Sequence, residues 1–144
     1  MARVLVVDDE PDVQDALKRR LERADHSVHC ASSTEDALTM LVAGGPAFDV
    51  IITDMSMESE NSGVEILQAA LHRDSLSAVI ILTAYGNVRN AVTCMQMGAY
   101  DYVEKNIPDV DVFELITLKA NRAAQQVRER RSGSGPTFRL GSAA

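Results

Sequence analysis

A chain of 144 residues with 46% apolar side chains is long enough for one domain with its own core and too short for two of ordinary size. No apolar run approaches the roughly 20 residues a membrane span needs, and MARVLVVDDE lacks the apolar region and cleavage site of a secretory signal, so a cytoplasmic chain without membrane contact is expected. The net charge of −7 is unevenly placed: residues 1–118 carry 20 acidic and 8 basic side chains, residues 119–144 carry 1 and 6, and so acidic a body repels nucleic-acid phosphates.

The first predicted element is a strand, Val4–Val7, whose four apolar residues run straight into Asp8, Asp9 and Glu10. Two like charges a few Å apart repel by about 4 kcal/mol at an effective dielectric near 20. Either water screens the pair or a cation sits between them. A helix follows, with Val13, Ala16, Leu17, Leu21 and Ala24 on one face. After a second strand, Ser27–Cys30, a second helix starts at Ser33, with Asp36 three residues on as a short capping-box analogue, and ends at Gly44-Gly45-Pro46. The third strand, Val50–Thr53, leads into Asp54, and a third helix runs from about Gly63 through VEILQAALHR.

The fourth strand, Val79–Thr83, is again nearly all apolar, and the fourth helix places Val88, Ala91, Val92 and Met95 on one side before stopping at Gly98. The fifth strand, Asp101–Val103, is followed by Lys105. The fifth helix begins near Asp111, carries Val112, Leu115, Ile116 and Leu118, and continues with polar residues to Arg131. Its basic residues Arg122, Arg128, Arg130 and Arg131 read as a solvated face. The end, SGSGPTFRLGSAA, has no periodicity and reads as a flexible tail, a truncated linker or an engineered remnant. The expected organisation is therefore a domain over residues 1–118, a helical extension over 119–131 and a tail over 132–144. Cys30 and Cys94 fall in no metal-ligand spacing and are expected as buried free thiols, and the six Met as core filler.

Five strand–helix units in strict alternation predict an α/β fold, a doubly wound five-stranded parallel sheet with helices on both faces, because parallel strands require crossover helices. In such a sheet ligands bind past the carboxyl ends of the strands. That edge receives Asp8 and Asp9 from the first strand, Asp54 from the third, Thr83 from the fourth and Lys105 from the fifth. Singly, each has a structural explanation as a turn former, cap or solvated group. Together they make a set of hard oxygens with one ammonium, which suits Mg²⁺ and a phosphoryl group.

At these residues the chain resembles the receiver domains of two-component response regulators. VLVVDDEPDV, DVIITDM and VIILTAYG…AYDYVEK match the successive signatures of that family in order, over about residues 3–118. The stretch LTAYGNVRNAVTCMQMGAYDYVEK is most similar to receivers attached to enhancer-binding transcriptional activators. The resemblance implies the flavodoxin-like strand order 2-1-3-4-5. It also implies that Asp54 accepts a phosphoryl group from a histidine kinase or phosphotransfer protein, with Mg²⁺ held by Asp8, Asp9, Asp54 and the backbone carbonyl of Ser56. Thr83, the backbone N–H of Ala84 and Lys105 are then the phosphoryl-binding groups. Thr83 and Tyr102 form the switch that alters the face of the fourth helix, fifth strand and fifth helix, the surface for an output partner or a homodimer. Ser56 and Tyr85 occupy the positions that tune dephosphorylation, and the only catalysis implied is the domain's own phosphorylation and slow dephosphorylation.

The sequence departs from the family pattern in three places. Asn106 follows Lys105 where proline is usual, and the segment NIPDVDVFEL is about three residues longer than usual. After Asp54, MSMESENSG has Glu58 in place of a common proline and one extra residue, so that Glu58 and Glu60 add negative charge beside the expected metal. These departures keep a second reading open, a receiver-shaped protein-binding module whose output ignores phosphorylation. A phosphohydrolase is disfavoured, since its DxD after the first strand is here an adjacent DD. His26, His29 and His72 sit at no catalytic or metal spacing.

Overall fold

The computed structural model describes residues 2–84 and 88–133. In chain order they form β1 Arg3–Val7, α1 Pro11–Arg23, β2 Ser27–Ala31, α2 Thr34–Val42, β3 Val50–Asp54, α3 Ser62–Arg73, β4 Ala78–Thr83, α4 Val88–Gln96, β5 Asp101–Glu104 and α5 Val112–Ser132. Every strand pair is parallel and the sheet order is β2-β1-β3-β4-β5, the doubly wound arrangement expected from the alternation. The strand order reverses between β1 and β3, which opens a crevice past their carboxyl ends. No described helix is long and apolar enough to cross a membrane.

The strands alternate between two cores. Val4, Val6, Val50, Ile52, Ile80 and Leu82 face α1 and α5, while Leu5, Val7, Ile51, Val79 and Ile81 face α2, α3 and α4. The central strands thus have no polar face, which is why they read as continuous apolar runs. Ser33 Oγ accepts the Asp36 N–H at 3.1 Å and Asp111 Oδ1 accepts the Glu114 N–H at 3.1 Å, each satisfying a first-turn donor of its helix. Gly63 lets α3 lie against the end of β3: a Cβ there would stand 2.8 Å from Met55 Cα and 3.1 Å from the Asp54 carbonyl oxygen. Gly98, at φ +107°, ends α4 in a conformation that side-chain-bearing residues rarely adopt.

In two helices part of the expected apolar face turns to solvent, while Val112, Leu115 and Ile116 of α5 pack on the core as expected. In α4, Ala91 and Cys94 are buried, whereas Val92 and Met95 are 46% and 39% exposed. The helix carries two overlapping apolar stripes, and the sheet takes the one with small residues, which permits close approach; Cys94 Sγ lies 3.6 Å from Met55 Sδ. In α5, Ile116 is buried but Leu118 is 55% exposed, and the docked stripe continues through Ala120, Ala123, Ala124 and Val127. The apparently polar end of α5 therefore has an alanine face on the core. Cys30 is half-buried rather than buried.

Long-range polar ties hold the last turns of α5. Arg131 is paired rather than simply solvated: Nε is 2.8 Å from Asp49 Oδ1 and Nη1 is 2.6 Å from Asp74 Oδ2. Partial burial works against ionisation of Asp74, but the Arg131 hydrogen bond and charge outweigh it and hold the carboxyl below its ordinary range. His26 accepts the Ala2 N–H on Nδ1 at 3.2 Å, and its Nε2 lies 2.8 Å from Asn121 Oδ1. An accepting Nδ1 places the ring proton on Nε2, toward Asn121. His26 thus joins the start of β1 to α5.

Candidate functional site

One step past the Val7↔Thr53 pair of the β1–β3 ladder stand Asp8 and Asp54. Backbone bonds carry the ladders into this edge: Asp8 N–H to Ala31 O at 3.1 Å, Met55 N–H to Leu82 O at 2.8 Å and Lys105 N–H to Thr83 O at 2.7 Å. Residues drawn from strands up to 97 positions apart are thereby brought together at one end of the sheet.

Lys105 is the hub. Its Nζ lies 3.4 Å from Asp8 Oδ2, 3.2 Å from Asp54 Oδ2 and 3.1 Å from Glu10 Oε1. Asp8 is fully buried and Asp54 is 8% exposed. Asp8 Oδ1 also accepts the Glu10 N–H at 2.9 Å, and the Ser56 N–H points at Asp54 Oδ1 from 3.5 Å. Burial pushes the Asp8 carboxyl above its ordinary pKa, with the Glu10 N–H and Lys105 offsetting only part of the effect. Burial likewise raises Asp54 against the opposing charge of Lys105. For Lys105 the balance falls the other way: burial opposes its charge, but the Asp54 and Asp8 carboxylates outweigh that and hold the ammonium above its ordinary value. Thr83 is fully buried at the end of β4, Ala84 is exposed just past it, and Tyr102 is half-buried on β5. Tyr85 and the side chain of Val88 lie outside the described residues.

The carboxylates of Asp8, Asp9 and Glu10 each offer an oxygen within 4.8 Å of the others, and Asp54 stands apart from this trio, linked to it through Lys105. Glu10 is the residue that reasoning from strand ends passed over, although it stands third in DDEPD. Three carboxylates thus share the Lys105 ammonium, with Asp9 beside two of them, and a divalent cation reduces that imbalance. The donors are all hard oxygens, partly buried and partly open to solvent, and so fit a Mg²⁺ ion that keeps some of its waters.

The loop departures do not displace these groups. Asn106 adopts φ +59° and Asp109 φ +62°, a left-handed conformation that Asn and Asp tolerate better than most residues. All peptide bonds are trans among the described residues, and Lys105 still reaches Asp54 without a following proline. After β3, the expectation that Glu58 loads the metal site with charge is corrected. Its carboxylate accepts the Thr34 N–H at 3.2 Å and the Thr34 Oγ–H at 2.7 Å, at the start of α2. The Thr34 side-chain bond holds Glu58 below its ordinary pKa. Neither Glu58 nor Glu60 belongs to the acidic trio. A second residue not marked by the sequence is Gln14, whose Nε2 lies 2.5 Å from the Asp8 carbonyl, 3.3 Å from the Ala31 carbonyl and 3.1 Å from Ser32 Oγ.

The response regulator receiver domain family matches residues 4–117. The chain belongs to this family. The receiver is 33% identical over 129 residues to regulatory protein AtoC of Escherichia coli (strain K12), a match covering 90% of this chain and 27% of AtoC. It is 34% identical over 127 residues to transcriptional regulatory protein FixJ of Azorhizobium caulinodans, covering 88% of this chain and 58% of FixJ. Among solved structures, a response regulator receiver domain protein from Clostridium thermocellum superimposes with a TM-score of 0.76 at 32% identity, covering 92% of this chain and 99% of that one. NtrX from Brucella abortus superimposes with a TM-score of 0.76 at 28% identity, covering 91% of this chain and 29% of NtrX. The receiver spans only 27% to 31% of the length of AtoC, PilR and the NtrX of Azorhizobium caulinodans.

Proposed function

We propose that Asp54 is the phosphoacceptor of a two-component receiver, loaded from the phosphohistidine of a histidine kinase or phosphotransfer protein. An Asp54 carboxylate oxygen attacks phosphorus, the P–N bond breaks, and its electron pair leaves with the imidazole, which takes up a proton. The observation that carries this reading is Lys105 Nζ, 3.2 Å from Asp54 and 3.4 Å from Asp8, beside a trio of carboxylates at the strand ends. A fixed ammonium suits the phosphoryl charge of up to about −2 that replaces the Asp54 carboxylate. Asp8, Asp9, Asp54 and the Ser56 carbonyl are the proposed Mg²⁺ ligands, with Glu10 beside them. A Mg²⁺ ion held there supplies neutralisation of charge on the phosphoryl oxygens.

Thr83, the Ala84 N–H and Lys105 receive the phosphoryl oxygens. As Thr83 is drawn to the new group, Tyr102 turns inward and the α4–β5–α5 face changes, one local charge biasing a two-state element. Helix α4 exposes Val92 and Met95 and α5 exposes Leu118, apolar side chains suited to an output partner or a second copy of the domain. Ser56 and Tyr85, flanking the phosphoryl site, set the rate of its hydrolysis. The seating of Lys105 on Asp54 in spite of Asn106 favours this reading over a binding module indifferent to phosphorylation.

The test is incubation with acetyl phosphate and Mg²⁺, read by intact mass. One phosphoryl adduct is expected on the wild type and none on Asp54→Asn. A wild type that takes up no phosphoryl group, or an undiminished adduct on the variant, overturns the assignment.

A further inference from the structure

The β2 side of the site contributes no acidic group, and strand-end chemistry alone gives it no part. Two independent hydrogen-bonded ties nevertheless meet there. Gln14, one turn into α1, reaches the Asp8 carbonyl, the Ala31 carbonyl and Ser32 Oγ, joining the ends of β1 and β2. Two residues further along the chain, Thr34 receives the Glu58 carboxylate through both its N–H and its hydroxyl. Glu58 belongs to the loop that follows Asp54, and that loop is closed on itself by Met57 N–H to Ser59 O at 3.2 Å and Gly63 N–H to Met55 O at 2.8 Å. An outer arc therefore runs from Asp8 through Gln14, Ser32, Thr34 and Glu58 to Ser56, reaching Asp54 by a route separate from the β1–β3 ladder.

We propose that Glu58 and Gln14 are positioning residues for the cation site. They brace the Asp8–Asp9 turn and the loop after β3 against the first turn of α2, so the oxygen donors stand at fixed spacing before a cation arrives. The arrangement answers a physical need, because the Asp8 and Asp54 carboxylates, both drawn to Lys105 Nζ, repel each other across the two loops. A site already held in its binding geometry avoids the ordering cost on association. Glu58 replaces the proline that commonly stiffens this loop, and its tie to Thr34 supplies the restraint from outside. The inference rests on the reading of the acidic edge as a Mg²⁺ site.

The experiment is a direct Mg²⁺ titration followed by the amide NMR signals of residues 8–10, at a temperature where every variant is folded. Glu58→Ala and Gln14→Ala should each weaken Mg²⁺ binding by about tenfold, the lower end of what loss of an outer partner costs a metal site. Glu58→Gln keeps an acceptor for Thr34 and should recover most of the affinity. Glu58→Ala combined with Thr34→Val should be no worse than Glu58→Ala alone, since both remove the same tie. With acetyl phosphate, the Mg²⁺ concentration at half-maximal rate should rise while the rate at saturating Mg²⁺ stays within about twofold, as loss of ground-state binding alone requires. Variants that melt lower yet bind Mg²⁺ as the wild type does would overturn the brace, leaving the ties a purely structural role. A wild type that binds Mg²⁺, is weakened by these substitutions and still takes no phosphoryl group would support the brace while refuting the phosphoacceptor reading.

Discussion

Replacing Asp54 with Asn, in buffer free of divalent cations, is expected to make the receiver more stable near neutral pH. Two opposing effects set the result. The Lys105 ammonium, 3.2 Å away, attracts the Asp54 charge by at most about 5 kcal/mol at an effective dielectric of 20, and it is shared with Asp8 and Glu10. The Asp54 side chain is only 11% exposed, and withdrawing a carboxylate from water to that degree costs several kcal/mol. Burial wins, since the carboxyl is held above its ordinary 3.8 despite Lys105. Removing the charge while keeping the shape therefore stabilises by about 1 kcal/mol, a gain usual where function has imposed strain. For a domain of this size that is about 3 °C in Tm. The pH dependence has a definite sign. A raised folded-state pKa gives stability that is complete below the unfolded value of 3.8 and is lost as pH rises through the folded value. The wild type thus recovers stability in acid, and its gap to D54N is widest at neutral pH and closes on acidification. Circular dichroism melts at about pH 7 and about pH 4 measure both quantities. A variant that melts below the wild type at neutral pH, or a gap that widens in acid, would refute the reasoning.

Arg131→Ala removes both carboxylate contacts of the last turn of α5 and should cost about 1 kcal/mol, the upper end for partly exposed pairs. Because Asp74 is depressed mainly through Arg131, its contribution is present above 3.8 and lost as pH falls, so the variant's deficit should shrink in acid; denaturant titration at two pH values checks this. Gly63→Ala forces a Cβ to 2.8 Å from Met55 Cα, which is backbone and cannot rotate away. A loss of about 2 kcal/mol is expected from such overpacking. Slower labelling of Asp54 by acetyl phosphate should accompany it, and an unchanged chemical-denaturation midpoint would contradict the predicted close approach.

The strand ends were legible because each signal is local. Four apolar residues before Asp8 and Asp9, or VIIT before Asp54, identify buried parallel strands and the carboxylates at their ends without reference to any other segment. Strict alternation of strands and helices then restricts the topology, since a parallel pair cannot be joined by a tight turn. The helix caps at Ser33 and Asp111 were equally readable, each being a bond across three residues. Less was legible where a helix offers more than one apolar stripe. In α4, Ala91 of the expected face is buried, but Cys94 joins it against the sheet while Val92 and Met95 turn outward, because close packing and not hydrophobicity alone decides which side chains are buried.

What the sequence determined by itself, then, was the order of elements, the two-sided apolar character of the central strands, and the presence of Asp8, Asp9, Asp54, Thr83 and Lys105 at strand ends. What only the tertiary structure decided was how polar side chains were paired. Glu10 meets Lys105 across 95 residues, Glu58 turns from the acidic edge to Thr34 across 24, and Arg131 closes on Asp49 across 82. A residue's own neighbours in the chain carry periodicity, and periodicity chooses between helix and strand. The partner of a charge is chosen by which surfaces come together when the helices dock, and that depends on the packing of the whole sheet.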